Sequence, residues 1–141
     1  MDVYHKVWPS EHILLMAPTG LAAKRMAEST GMNSATIHKA CGLVPADNPS
    51  GFKAQGECRI CGFVGIDEMS MVGEHLFAFA VDAVLNSPST RIVLLGDTDQ
   101  LAPVSRGDVL RDLIECGVIK DCRASMSTIG REYLYHYGRI H

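Results

Sequence analysis

No apolar run in this sequence approaches the roughly 20 residues that a membrane-spanning helix needs. No leader-like apolar segment is present either. An excess of positive charge is also lacking. The 13 Lys and Arg against 16 Asp and Glu leave a formal net charge of −3, so any nucleic-acid contact has to be local. The cysteines do not suggest a disulfide framework. Cys41, Cys58, Cys61, Cys116 and Cys122 are odd in number and unevenly spaced, which fits reduced thiols in a cytoplasmic protein. Internal repeats and low-complexity tracts are absent. What is present is ordinary: 141 residues, 47% hydrophobic and 21% charged, enough for one domain with a real core.

Along the chain, apolar runs alternate with helical patterns. Residues 1–11 hold Trp8-Pro9 and show no periodicity. His12 to Ala17 is apolar enough to be a strand buried on both faces, and Pro18-Thr19-Gly20 breaks it. Leu21 to Thr30 reads as a helix with Leu21, Ala22, Met26 and Ala27 near one face, and Gly31 is its stop. Thr36 to Cys41 fits a short helix capped by Ser34 or Thr36. Gly42 to Gly62 reads as a long loop.

Phe63 to Asp67 is the second strand. Glu74 to Asn86 is a helix whose apolar face is Leu76, Phe77, Ala80, Val81, Val84 and Leu85. Arg91 to Leu95 is the third strand, and Asp108 to Cys116 the last helix. This order predicts an α/β fold, a parallel sheet with right-handed crossovers and flanking helices. Each strand ends in a polar or Gly-containing turn, so three such turns converge on one sheet edge.

The chemistry-bearing residues lie in those turns. Asp67-Glu68 follows a buried strand, where open α/β sheets bind their ligands. For an isolated pair a helix start is the commoner reading. Gly96-Asp97-Thr98-Asp99-Gln100 places two carboxylates and a carboxamide after another strand. It suits phosphate oxygens or metal-bound water, and equally an Asp-rich turn. Pro18-Thr19-Gly20 opens a helix whose first N–H groups could hold a phosphate. Lys24 and Arg25 read as a solvated helix face.

Together these stretches resemble the RecD-like DNA helicases of superfamily 1, the exodeoxyribonuclease V alpha-subunit family that moves 5′ to 3′. Ala17-Pro18-Thr19-Gly20-Leu21-Ala22-Ala23-Lys24-Arg25 is similar to that family's motif Ia, and Thr36-Ile37-His38 to the small motif after it. Asp67-Glu68-Met69-Ser70-Met71-Val72 resembles motif II, the Walker B element. Gly96 to Val104 resembles motif III, and Gly107 to Ile114 continues in the family's manner. The likeness runs from about Ile13 to about Ile119.

The resemblance implies a partial P-loop NTPase (RecA-like) domain over residues 1–120 and a divergent tail over 121–141. It implies ATP hydrolysis coupled to translocation on single-stranded DNA, with Mg²⁺ and ATP as cofactors, in a helicase serving DNA repair, recombination or conjugation. Asp67 would hold Mg²⁺ through water, and Glu68 would orient the attacking water. Gln100 would contact the γ-phosphate, with Asp97 beside the nucleotide. Pro18, Thr19 and His38 would lie along the DNA. Outside that context His38 would more often be a structural histidine.

The departures set limits. The Gly-x-x-x-x-Gly-Lys-Thr loop of P-loop enzymes occurs nowhere in these 141 residues, so the phosphate-loop strand is lacking and unaided turnover is not expected. The alternative is a non-catalytic module that binds DNA or a protein, and the expected partners include further helicase segments or other subunits. The family places the phosphate-loop strand beside the motif III strand. Residues 91–95 are therefore expected to form an open edge, prone to self-association. The Tyr- and His-bearing tail reads as unrelated sequence, loosely docked or disordered. Cys58-Arg59-Ile60-Cys61 is half a zinc site and needs distant partners.

Overall fold

The computed structural model describes residues 12–47, 51–55, 62–84, 90–100 and 103–117, together with the backbone of 120–124 and 132–137. Residues 1–11, the Cys58–Cys61 pair, Leu85, and Leu101 and Ala102 of motif III lie outside the described residues. The chain runs β1 (Ile13–Ala17), α1 (Gly20–Thr30), β2 (Ser34–Thr36), α2 (Ile37–Ala40), β3 (Leu43–Pro45), β4 (Phe52–Ala54) and β5 (Phe63–Ile66). A 3-10 turn (Met69–Met71), α3 (Glu74–Val84), β6 (Arg91–Gly96), α4 (Val109–Glu115), β7 (Lys120–Ala124) and β8 (Glu132–Tyr137) follow.

Six strands form one sheet in the order β2-β1-β5-β6-β8-β7. The first four are parallel, as the alternation of strand and helix dictates. The three expected strands are neighbours in the expected order. Their register aligns Met16, Ile66 and Leu94 across the sheet, and likewise Leu14, Val64 and Ile92. By pleat these side chains share one face. They join Val72, after the 3-10 turn, and Ile37, Ala80, Val84, Val109 and Leu110, supplied by α2, α3 and α4, in the main core. The opposite face holds a smaller cluster of Ala17, Ala22 and Ala23 beneath α1. All four residues of β5 are buried, which explains why its run is apolar without alternation.

Helix boundaries follow their caps. The Thr19 Oγ1 accepts from the Ala22 N–H at 3.2 Å, and Gly31 ends α1 in the left-handed conformation at φ 67°. The buried face of α1 is Ala22, Ala23 and Met26, whereas Leu21, 61% exposed, points outward. Leu21 therefore does not share the face of Ala22 and Met26, where the sequence pattern places it. Thr36 caps α2, accepting from the Lys39 N–H at 3.2 Å.

Two expectations are corrected. The stretch 42–62 is not loop throughout, because β3 and β4 pair as a small antiparallel ribbon. The ribbon closes on Gly42, whose carbonyl accepts from the Gln55 N–H at 2.8 Å.

The second correction concerns the edge at Arg91–Leu95, which is not open. Strand β8 pairs antiparallel along it from Ile92↔Tyr137 to Gly96↔Tyr133, and β7 pairs outside β8. The tail therefore satisfies the backbone groups that would otherwise invite a second chain. It occupies the side of β6 where the resemblance places a phosphate-loop strand. Deleting residues 118–141 is expected to uncover that edge. The shortened chain should then form concentration-dependent oligomers in light scattering, more strongly than the whole chain does. Equal behaviour of the two would show that β8 does not protect β6.

Candidate functional site

Because β1, β2, β5 and β6 are parallel, their carboxyl ends line up along one edge. In spatial order the turns there begin at Ile37, Pro18, Asp67 and Asp97. The chain leaves β1 toward β2 on one side, and β5 leads to β6 on the other. The crevice between β1 and β5 is thus the topological switch point, where sheets of this kind bind ligands. The Asp67 N–H donates to the Met16 carbonyl at 3.0 Å, tying the carboxylate's backbone to the end of β1. All seven residues singled out from the sequence stand at this edge. Asp67, Glu68, Asp97 and Gln100 occupy the β5–β6 half, while Pro18, Thr19 and His38 occupy the β2–β1 half.

The carboxylate pair sits on an unusual backbone. Glu68 has φ 54° and ψ 42°, the one non-glycine with positive φ among the described residues. Left-handed geometry costs an L-residue about 1–2 kcal/mol, and such strain collects at functional sites. It turns the chain from β5 directly into the 3-10 turn Met69–Met71. The Asp67 Oδ1 accepts from the Glu68 N–H at 2.8 Å, which fixes the carboxylate as the chain turns. Both residues are half-buried.

Gly96 makes the neighbouring turn accessible. A Cβ there would lie 2.8 Å from Leu110 Cδ2 and 3.1 Å from Met69 Cβ, so only glycine lets β6 end between the 3-10 turn and α4. The following turn closes on itself. The Asp97 carbonyl accepts from the Gln100 N–H at 3.2 Å, and Asp97 Oδ1 accepts from the Asp99 N–H at 2.9 Å. Part of the Asp97 carboxylate is thereby engaged in holding the turn.

The sequence reading gave no role to Ser70, Arg111 or Phe52, although Ser70 and Phe52 touch candidate residues and Arg111 touches the turn that carries two of them. The Ser70 Oγ donates to Gln100 Oε1 at 3.2 Å and joins the two turns. The Arg111 Nη2 donates to the Thr98 carbonyl at 3.1 Å, and its Nε donates to Asp108 Oδ2 at 2.9 Å. Asp108, first by that hydrogen bond and then by its charge, raises the Arg111 pKa above its ordinary value. The guanidinium therefore stays charged throughout the working pH range. The His38 ring meets the Phe52 ring edge-on, with centroids 4.6 Å apart. Helical spacing around Asp108 could have suggested Arg111, since residues three apart share a face. Phe52 lay in the supposed loop, and Ser70 offered no signal of its own.

The donor set bears on a metal. Asp67 and Glu68 offer hard oxygens, which suit Mg²⁺, a cation held by one or two carboxylates plus phosphate oxygens and water. Among the described residues no group of three or more His, Cys, Asp or Glu is placed to cage an ion. Cys41 is buried and Cys116 exposed. No helix among the described residues is long and apolar enough to cross a membrane.

Comparison with known proteins adds the following. A family model described as an AAA domain matches residues 1–132. The RecBCD enzyme subunit RecD of Mycolicibacterium smegmatis is 39% identical over 124 residues, covering 76% of this chain and 22% of that protein. The ATP-dependent RecD2 DNA helicase of Deinococcus radiodurans is 40% identical over 94 residues, covering 66% of this chain and 12% of that protein. The RecBCD enzyme subunit RecD of Mycobacterium tuberculosis is 33% identical over 130 residues, covering 80% and 22%. A chain from a structure of two coordinating Pif1 helicases at forked double-stranded DNA has a TM-score of 0.47 and 20% identity, covering 80% of this chain and 30% of that one. This chain thus spans no more than 22% of the length of these three curated relatives.

Proposed function

The chain belongs to the AAA-domain family, in its RecD-like helicase branch, and from that premise we propose that it forms part of an ATP-driven 5′→3′ DNA motor. In this reading it carries the metal-holding and γ-phosphate-sensing half of the nucleotide site. The observation that carries it is the pair of turns after the neighbouring parallel strands β5 and β6, joined through Ser70 and Gln100.

Asp67, oriented by the Glu68 N–H, would hold Mg²⁺ through water, and the ion would neutralise charge on the phosphates. Glu68, whose strained backbone lifts it off the strand end, would orient the attacking water. Gln100 would present its amide to the terminal phosphate, with Asp97 shaping the turn beneath. On the other half of the edge, the Thr19 hydroxyl keeps a proton to donate while its oxygen caps α1. Pro18, Thr19 and His38 would follow single-stranded DNA. We take residues 1–120 as the RecA-like part and 121–141 as an appended hairpin. Other helicase segments or subunits would supply the phosphate loop. A second reading, a non-catalytic DNA-binding module, is favoured by the missing Gly-x-x-x-x-Gly-Lys-Thr loop.

Two measurements test these readings. The isolated chain is expected to show no DNA-stimulated Mg·ATP hydrolysis. Robust turnover abolished by Glu68→Gln would mean that these residues complete a site unaided. Single-stranded DNA should bind in a salt-sensitive way, more weakly in Thr19→Ala and His38→Ala, while Thr19→Ser preserves the helix cap. Absence of binding at low salt would remove the DNA-contacting role.

A further inference from the structure

Ser70, 4% exposed, is the one buried polar side chain among the described residues. It stands on the 3-10 turn two residues after Glu68, yet its hydrogen bond reaches across to Gln100, 30 residues away. A hydroxyl taken out of water needs such a partner. The consequence falls on Gln100, an exposed residue whose side chain would otherwise turn freely.

A carboxamide is polar in opposite senses at its two ends: the oxygen accepts and the nitrogen carries two donors. In the structure the Ser70 hydroxyl donates to Oε1 at 3.2 Å and so ties the carboxamide to the 3-10 turn after β5. We infer that Ser70 is a positioning residue, which holds the Gln100 carboxamide at the junction of the two turns so that the site distinguishes a nucleoside triphosphate from a diphosphate. The inference rests on the function proposed above and adds to it a discriminating element. Arg111, bound to the Thr98 carbonyl, steadies the backbone of the same turn, whereas Ser70 holds the side chain itself.

The experiment compares Mg·ATP and Mg·ADP titrations of the whole chain, wild type against Ser70→Ala and Ser70→Thr, with thermal unfolding to confirm the fold. Ser70→Ala is expected to weaken Mg·ATP binding about threefold to tenfold, the worth of one ordinary hydrogen bond, while Mg·ADP binding stays at its wild-type strength. Ser70→Thr, which keeps the hydroxyl, should restore the preference. Ser70→Ala weakening both nucleotides equally would make Ser70 merely structural and overturn the inference. A wild type that binds both nucleotides alike would overturn it too, leaving the metal-holding role of Asp67 intact. Failure of the wild type to bind either nucleotide would overturn the inference, whereas the proposed function, in which other segments supply the phosphate loop, would stand.

Discussion

Replacing Leu94 with Ala is expected to lower the unfolding free energy by about 2–5 kcal/mol, measured by denaturant titration. Leu94 is fully buried at the middle of β6, level with Ile66 of β5 on one side and paired with Tyr135 of β8 on the other. Removing its side chain opens a cavity between the sheet and the helices that supply Val84, Val109 and Leu110. Hydrogen-bonded strands on both flanks resist the collapse that would refill it. Domains are generally stable by only about 5–15 kcal/mol, so the loss takes a large share of the total. Leu94→Met, which roughly conserves volume, should cost less than about 1.5 kcal/mol. Equal losses for the two variants would mean that Leu94 contributes something other than filled volume.

Asp67→Asn is expected to weaken Mg²⁺-dependent nucleotide binding about tenfold to a hundredfold, the scale of an interaction with a charged group. The variant isolates charge from shape. Asn keeps an oxygen that can accept from the Glu68 N–H, so the 2.8 Å contact holding the turn can persist. Thermal stability should therefore stay close to wild type while the attraction for the cation is lost. Binding that is unchanged in Asp67→Asn, or that needs no Mg²⁺, would remove Asp67 from the metal role.

Much of this was legible before any coordinates. Uninterrupted apolar runs ending at Ala17, Ile66 and Leu95 announced strands buried on both faces, and their polar ends announced a common edge. Gly31 bounded α1 because few residue types take the left-handed position there, whereas the Thr19 cap emerged only with the structure. Other parts were not readable. Ser34–Thr36 is too short and too small-residued to signal a strand, and it became one by extending the edge beside β1. The ribbon of Leu43–Pro45 and Phe52–Ala54 was hidden in a stretch rich in Gly and Pro. The closure of β6 by β8 is a long-range pairing, and no local pattern in Arg91–Gly96 specifies what lies across from it. The bond from Ser70 to Gln100 belongs to the same class. It depends on two turns meeting, which the parallel register of β5 and β6 brings about.

The central claim is that the turns after β5 and β6 together receive a metal-bound nucleotide. Its most direct test is Mn²⁺ in place of Mg²⁺ with ATP, followed by paramagnetic broadening of the backbone amide signals. The predicted result is that the amides of 67–68 and 97–100 broaden first, and that Asp67→Asn abolishes the effect. Broadening centred on another part of the chain, or at these turns undiminished in Asp67→Asn, would contradict it.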